Sequence, residues 1–215
     1  MRRAARLPLE ELGPYLLAPP TSGELLNWRM IFGNDHPVEL EVGFGKGLFL
    51  LRAAQAFPEV NFVGIEILRS YQLFTAARLC KRRLGNVRLV CADARQLLRD
   101  SVAAASLHAI HVYFPDPWWK KRHHKRRVFT DECACLCARA LRPGGHLHVV
   151  TDVEEYFGLI RDLLAQQVGL HRLPPPEIRR PEHDLDYLTN FERKFRKSGK
   201  PIYRGHWERT SGQGA

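Results

Sequence analysis

Val38-Glu39-Leu40-Glu41-Val42-Gly43-Phe44-Gly45-Lys46-Gly47 is the stretch on which the fold turns. Its first five residues read as a short strand of apolar and acidic side chains, and the glycines end it abruptly. Leu48 to Phe57 then reads as a helix that stops at Pro58. A strand that runs into a glycine turn and straight into a helix is the opening unit of an α/β fold.

The pattern repeats on either side of a second acid. Asn61 to Ile67 reads as a second strand, and Ser70 to Leu84 as a helix closed by Gly85-Asn86. Val87 to Cys91, Ala109 to Phe114 and His146 to Thr151 supply the third, fourth and fifth strands. Between the last two, Thr130 can cap a helix whose first turn carries Asp131 and Glu132, as the helix dipole favours. That helix ends before Pro143-Gly144-Gly145, read as a breaker and tight turn. Alternation at these lengths implies a mostly parallel sheet with helices on both faces and right-handed crossovers. Ligands of such sheets lie beyond the carboxyl ends of the strands. Those ends carry Glu41, Glu66, Asp93, Asp116 and Asp152. One acid there is ordinarily a helix cap, but five in succession point to a shared pocket.

Bulk properties narrow the ligand class. With 215 residues, one domain is expected. The formal charge of +10, from 33 basic and 23 acidic side chains, favours a polyanionic partner. Apolar runs such as Leu147 to Val150 are far shorter than the ~20 residues of a spanning helix. Arg2, Arg3 and Arg6 lead into no apolar stretch, so neither a membrane nor a secretory route is expected. Cys80, Cys91, Cys133, Cys135 and Cys137 suit a reducing compartment. The last three alternate within a helix and do not converge on a metal, so buried free thiols are expected.

The glycine spacing is G-x-G-x-G, not the G-x-G-x-x-G of dinucleotide folds. Glu41 stands two residues before the first glycine, where it would repel a pyrophosphate. It would instead favour S-adenosyl-L-methionine, which carries a sulfonium and an ammonium and no phosphate. Glu66 sits where an acid can accept from ribose hydroxyls, and Asp93-Ala94 where adenine's amine would fall. A glycine turn kept only for helix packing is the plainer alternative. The fourth strand ends in Phe114-Pro115-Asp116-Pro117-Trp118-Trp119, a carboxylate between two prolines beside flat aromatic surfaces suited to an unstacked base. The alternative is a proline-rich turn with tryptophans on the core. Lys120 to Arg127 follows, with six Lys or Arg in eight residues and His123-His124 for the rest. Elsewhere such a run would read as a solvated face. Next to this site it favours phosphate contacts, and no acid or Cys stands at ligand spacing to make a metal site.

Glu41-Val42-Gly43-Phe44-Gly45, Gly64-Ile65-Glu66, Pro115-Asp116-Pro117-Trp118 with Lys120-Lys121-Arg122-His123, and Thr189-Asn190-Phe191-Glu192 together resemble the bacterial tRNA (guanine-N7)-methyltransferases. The likeness runs from Leu7-Pro8 and Trp28 to Gly205. Trp119 stands where family members often carry proline. The resemblance implies a Rossmann-like class I methyltransferase with a mostly parallel seven-stranded sheet. It implies cofactor contacts at Glu41, Gly43, Gly45, Glu66, Asp93, Ala94 and Asp116, with Asp116 the catalytic residue. Substrate contacts would fall at Lys120, Asp152, Thr189, Asn190, Phe191 and Glu192, and no metal is implied. The expected activity is methyl transfer to a guanine N7 in the tRNA variable loop, in the cytoplasm, by a monomer or homodimer.

Residues 1–36 are expected to form an N-terminal extension, 37–210 the methyltransferase domain, and 211–215 a disordered tail; Pro174-Pro175-Pro176 reads as a linker. Two rivals differ in class. A nucleic-acid amino-methyltransferase would show two consecutive prolines before the aromatic, whereas one Pro117 separates Asp116 from Trp118. A non-enzymatic RNA-binding protein on the same scaffold would not need the glycine loop and all three cofactor acids.

Overall fold

The computed structural model describes residues 7–21, 23–118, 122, 127–175, 189, 192, 199 and 201–211. Among the described residues eight strands form one sheet: β1 (Leu16–Leu17), β2 (Val38–Val42), β3 (Asn61–Glu66), β4 (Val87–Cys91), β5 (Leu107–Tyr113), β6 (Leu141–Thr151), β7 (Leu170–Leu173) and β8 (Tyr203–Arg209). Their order is β1-β4-β3-β2-β5-β6-β8-β7. Pairing is parallel from β1 through β6, and β8 pairs antiparallel with both β6 and β7. The seven expected strands are joined by the two-residue β1, which the N-terminal segment adds to the free edge of β4.

The helices are α1 (Leu9–Leu12), α2 (Trp28–Phe32), α3 (Leu48–Ala56), α4 (Arg69–Arg82), α5 (Ala94–Asp100), α6 (Asp131–Ala140) and α7 (Glu154–Ala165). Leu12, Phe49, Leu50, Ala76 and Leu79 bury one face of the sheet beneath α1, α3 and α4. Leu97, Leu98, Cys133, Cys137, Ile160 and Leu164 bury the other beneath α5, α6 and α7. At roughly 1.5–3 kcal/mol per large apolar side chain, these two layers supply most of the folding drive.

Local chemistry sets the element ends. Thr130 Oγ1 accepts from Cys133 N at 3.2 Å, the expected cap of α6. α4 stops earlier than Gly85 suggested. Arg83 takes φ +55°, and Leu84 N donates back to Leu79 O at 3.2 Å. This is a Schellman closure in which Leu84 packs on the core, so apolar contact overrides the usual glycine. Pro143-Gly144-Gly145 makes its turn inside β6, with Gly144 at φ +72°. Leu141 pairs with Leu107 and His146 with Ala109, so residues 142–145 bulge opposite His108. A Cβ on Gly145 would lie 2.8 Å from the Arg142 carbonyl oxygen. The expectation of buried thiols holds for Cys133 and Cys137 but fails for Cys135, which faces solvent because the helix turns it off the core. Most of Lys120 to Arg127, with Trp119, Pro176 and 212–215, lies outside the described residues.

A row of imidazoles crosses the sheet on the α3 face. His111 of β5, His148 of β6 and His206 of β8 occupy one register. The rings stack at 5.1 Å (His111–His148) and 4.5 Å (His148–His206), and Phe49 packs on His111. Burial, then the neighbouring His111, His206 and His146, pushes the His148 pKa down from 6.5 to about 2. Below pH 6.5 the unfolded chain therefore binds the proton that native His148 refuses. The contribution is complete above 6.5 and is lost as pH falls toward 2. At about 1.4 kcal/mol per pH unit, His148 costs up to roughly 3 kcal/mol by pH 4.5. His148→Phe is expected to flatten the acid side of the urea-denaturation midpoint between pH 6.5 and 4.5; a wild-type slope in the variant would contradict this.

Candidate functional site

The carboxyl ends of β2, β3, β4 and β5 surround one cavity of about 1040 Å³. Glu41, Gly43, Gly45, Glu66, Asp93, Ala94, Asp116 and Thr189 all line it, with Phe49, Tyr71, Tyr113 and Trp118 as its apolar and aromatic wall. The topology explains the assembly. Adjacent parallel strands deliver their C-terminal residues to the same edge, and β2 lies centrally between β3 and β5.

The glycine loop is built by positive backbone angles. Gly43, Gly45 and Gly47 have φ of +74°, +51° and +65°, which only glycine adopts without strain. A Cβ on Gly47 would sit 2.2 Å from Thr75 Cγ2, so α4 fixes the loop from behind. Gly43 and Gly45 face open space instead. Glu66 ties the loop to the next strand: its carboxylate accepts Gly45 N–H at 3.0 Å and Leu68 N–H at 3.1 Å.

Glu41 lies beneath this loop, 3% exposed, and its Oε2 has no hydrogen-bond partner among the described residues. Burial, then the Glu66 carboxylate, pushes its pKa well above the ordinary range. Next to it runs a relay, in which His111 Nε2 meets Glu39 Oε2 at 2.8 Å and His111 Nδ1 meets the Tyr113 hydroxyl at 2.7 Å. Tyr113 is buried, with its pKa raised first by burial and then by Glu41, Glu39 and Glu192. Asp93 is committed differently. It caps α5 by accepting Arg95 N–H at 2.9 Å. Burial pushes its pKa up, but the hydrogen bonds and charge of Arg95 outweigh this and hold it low.

Asp116 sits exposed on the rim, held by strained backbone. Phe114 and Trp118, on either side of Pro115-Asp116-Pro117, take φ of +51° and +43°. Such conformations cost roughly 1–3 kcal/mol each and persist only where neighbours impose them. Here Phe114 N–H donates to Val150 O at 2.6 Å, and Arg127 Nε donates to Pro117 O at 2.6 Å. Arg127 in turn lies 5.3 Å from the Tyr156 ring centroid. The strain sits at the expected reaction centre, but no residue type in the sequence signals it.

Thr189 lines the cavity, and its Oγ1 accepts Glu192 N–H at 3.1 Å. Glu192, 5% exposed, pairs with Arg204 of β8 at 2.7 Å. Asp152 and Glu192 are not in the cavity lining, and Lys120, Asn190 and Phe191 lie outside the described residues. Arg204, Phe49 and the Glu39–His111–Tyr113 relay escaped the reading of the sequence. Among the described residues no group of three metal-ligating side chains converges, and no helix is long and apolar enough to cross a membrane.

A family model described as "Putative methyltransferase" matches residues 35–205. A protein of Rhodopirellula baltica named tRNA (guanine-N(7)-)-methyltransferase is 43% identical over 95% of this chain and 78% of its own length. One of the same name from Vibrio cholerae is 35% identical over 98% and 91%. The chain belongs to the tRNA (guanine-N7)-methyltransferase family. Solved structures agree on the fold: the 16S rRNA methyltransferase KamB superposes with TM-score 0.64 at 17% identity, covering 87% of this chain and 95% of its own. A Thermotoga maritima O-methyltransferase gives 0.56 at 13% identity, covering 89% and 69%.

Burying an unpaired carboxylate is costly, and that cost is measurable without any ligand. Because its folded pKa is raised, Glu41 costs nothing below its unfolded pKa near 4.5 and destabilises as pH rises through the folded value. Glu41→Gln is therefore expected to raise Tm at pH 8 by about 2–8 °C, from a penalty of about 1–2 kcal/mol, with little change at pH 4. A lower or unchanged Tm at pH 8 would show that Glu41 is satisfied in the free protein.

Proposed function

We propose that this chain methylates N7 of a guanine in tRNA, in the variable loop, using S-adenosyl-L-methionine. The observation that carries the reading is the placement of Asp116 in the wall of the same cavity as Glu41 and Glu66. The residues fit the cofactor. Glu41 brings a buried oxygen without a partner among the described residues, which suits a cation, and a volume of about 1040 Å³ stands at the upper end of the ~300–1,000 Å³ of small-ligand sites. When bound, the cofactor supplies an electrophilic methyl group. Glu41 would favour its positive charge, Glu66 its ribose, and Asp93-Ala94 its adenine, with Gly43 and Gly45 admitting it against the backbone.

Guanine N7 presents an in-plane lone pair and carries no proton. No base has to remove one before the methyl group is attacked. The protein's task is alignment and exclusion of water, worth up to about 7–11 kcal/mol in favourable cases. Asp116 would accept from the N1–H and amino group of guanine, holding the base and favouring the positive charge that develops on the purine. The strained Phe114 and Trp118 would keep that carboxylate from drifting. Trp118 offers a stacking surface, and Lys120, Asp152, Thr189, Asn190 and Phe191 would hold the surrounding nucleotides. Arg204 supports this last segment through its ion pair with Glu192.

We place the methyltransferase domain at 37–210, with 1–36 packed on it. Leu12 and Tyr15 enter the α4-side core and β1 extends the sheet, which supports the packing of the N-terminal segment on the domain. The enzyme would act in the cytoplasm as a monomer or homodimer.

The deciding assay incubates the protein with unmodified tRNA and methyl-labelled cofactor, then cleaves the RNA chemically at 7-methylguanosine. Label at one variable-loop guanine is expected; label on an exocyclic amine, or none, would overturn the reading. Within this assay Asp116→Asn should lower single-turnover methyl transfer about 10²–10³-fold, the scale of one preorganised electrostatic contact. Cofactor affinity should change far less. The wild-type rate should show no rise between pH 6 and 8 from a catalytic base. A solvent deuterium isotope effect well above unity would return Asp116 to the role of base.

A further inference from the structure

From Ile67 to Ala92 the chain carries no Asp or Glu and six basic residues: Arg69, Arg78, Lys81, Arg82, Arg83 and Arg88. Most of them stand on α4 or at its end. Arg29, Arg99, Arg161 and Arg204 each pair with a carboxylate, on Asp35, Glu132, Asp162 and Glu192. On α4 none of the described carboxylates answers them. The bonds recorded for Arg69, Arg78 and Arg82 go to neutral oxygens, on Gln72, Lys46 and Arg78. Each such cation repels the next, and a helix face of this kind raises the folding cost unless an anion is present in use.

The cations are also ordered in space. Phe74, Arg78, Lys81 and Arg82 recur at three- and four-residue spacing and so share one face of α4. At 1.5 Å per residue the strip is about 12 Å long. Its inner end joins the cavity, because Tyr71 lines it and the Arg78 guanidinium donates to the carbonyl of Lys46 in the glycine loop. Phe74 is about half exposed, with Arg78 5.7 Å from its ring centroid. An exposed aromatic ring among unpaired cations is the combination that binds nucleic acid, the ring for a base or ribose and the cations for phosphates. An acidic protein surface would not need the ring. The strip follows β3, and the Asp116 loop follows β5, so the two flank the β2 end of the cavity from opposite sides.

We infer that the outer face of α4, with Lys46, is a second tRNA-binding surface that holds the phosphate backbone on the side of the cavity opposite the Asp116 loop. The inference rests on tRNA being the substrate. A nucleic acid gripped on both sides would present its target guanine between them, so the α4 face governs affinity and not the chemical step.

The test uses the full chain and an unmodified tRNA transcript. Lys81→Ala with Arg82→Ala is expected to flatten the slope of log affinity against log salt by about 1.4–1.8, two contacts at about 0.7–0.9 each. Lys81→Glu with Arg82→Glu should raise KM for tRNA about ten- to a hundredfold. Phe74→Ala should raise it at least about fivefold, the lower end of what one stacked base contributes. In all three, kcat at saturating tRNA and affinity for S-adenosylhomocysteine should match wild type, and without tRNA the Tm of the double alanine variant should equal or exceed it. Variants that fold, bind S-adenosylhomocysteine and keep the wild-type KM and slope would overturn the α4 surface alone. A wild-type protein that methylates no tRNA would overturn the proposed function, and this inference with it.

Discussion

Glu41 sits at the end of the central strand β2 with one carboxylate oxygen that nothing among the described residues satisfies, and the arrangement of the site follows from that burial. β2 is flanked by β3 and β5 and covered on both faces, so a side chain at its carboxyl end can reach solvent only through the cavity. A buried carboxylate without a partner would ordinarily be replaced, protonated or bridged. Here it is walled by Phe49, Tyr113 and the glycine loop and held close to a second acid, Glu66. The protein thereby stores an electrostatic demand that a cation can meet. The two neighbouring hydrogen-bond systems leave it unmet: Glu66 spends both oxygens on Gly45 and Leu68, and the Tyr113 hydroxyl meets His111.

The same economy of position explains the Asp116 rim. Its carboxylate is exposed, so precision has to come from the backbone. Two prolines restrict the dihedrals, and the left-handed angles at Phe114 and Trp118 are held by Val150 and Arg127. One acid is therefore buried and waiting for charge, while the other is open and held in place. That division suits a reaction in which the donor arrives positive and the acceptor must be aligned without losing a proton.

Much of this was legible before any coordinates. The β2 strand, its glycine turn and α3 are punctuated by Val42-Gly43 and Pro58, and Thr130 caps α6 as its residue type requires. Glu41, Glu66, Asp93 and Asp116 could be placed at strand ends because parallel topology sends every strand end to one edge. What could not be read came from contacts distant in sequence or from local rules overruled by packing. Gly169, Pro174 and Pro201 flank the antiparallel β7 and β8, but β7 has four residues and β8 carries Arg204, Glu208 and Arg209, so neither shows the apolar run of a strand. The stacked row of His111, His148 and His206 needs three separate strands in register before it exists. Arg83 ends α4 because Leu84 gains a core contact, and no propensity scale anticipates Phe114 in a left-handed conformation.

The central claim is that Glu41 is kept without a partner for the positive charge of the cofactor. Calorimetry of S-adenosyl-L-methionine binding in buffers of different ionisation enthalpy, between pH 6 and 8, tests it most directly. A cation placed beside Glu41 lowers its raised pKa, so binding is expected to release protons. The measured heat should then vary linearly with buffer ionisation enthalpy, and this dependence should vanish in Glu41→Gln. Heats that do not depend on the buffer, or a dependence that survives unchanged in the variant, would contradict the account.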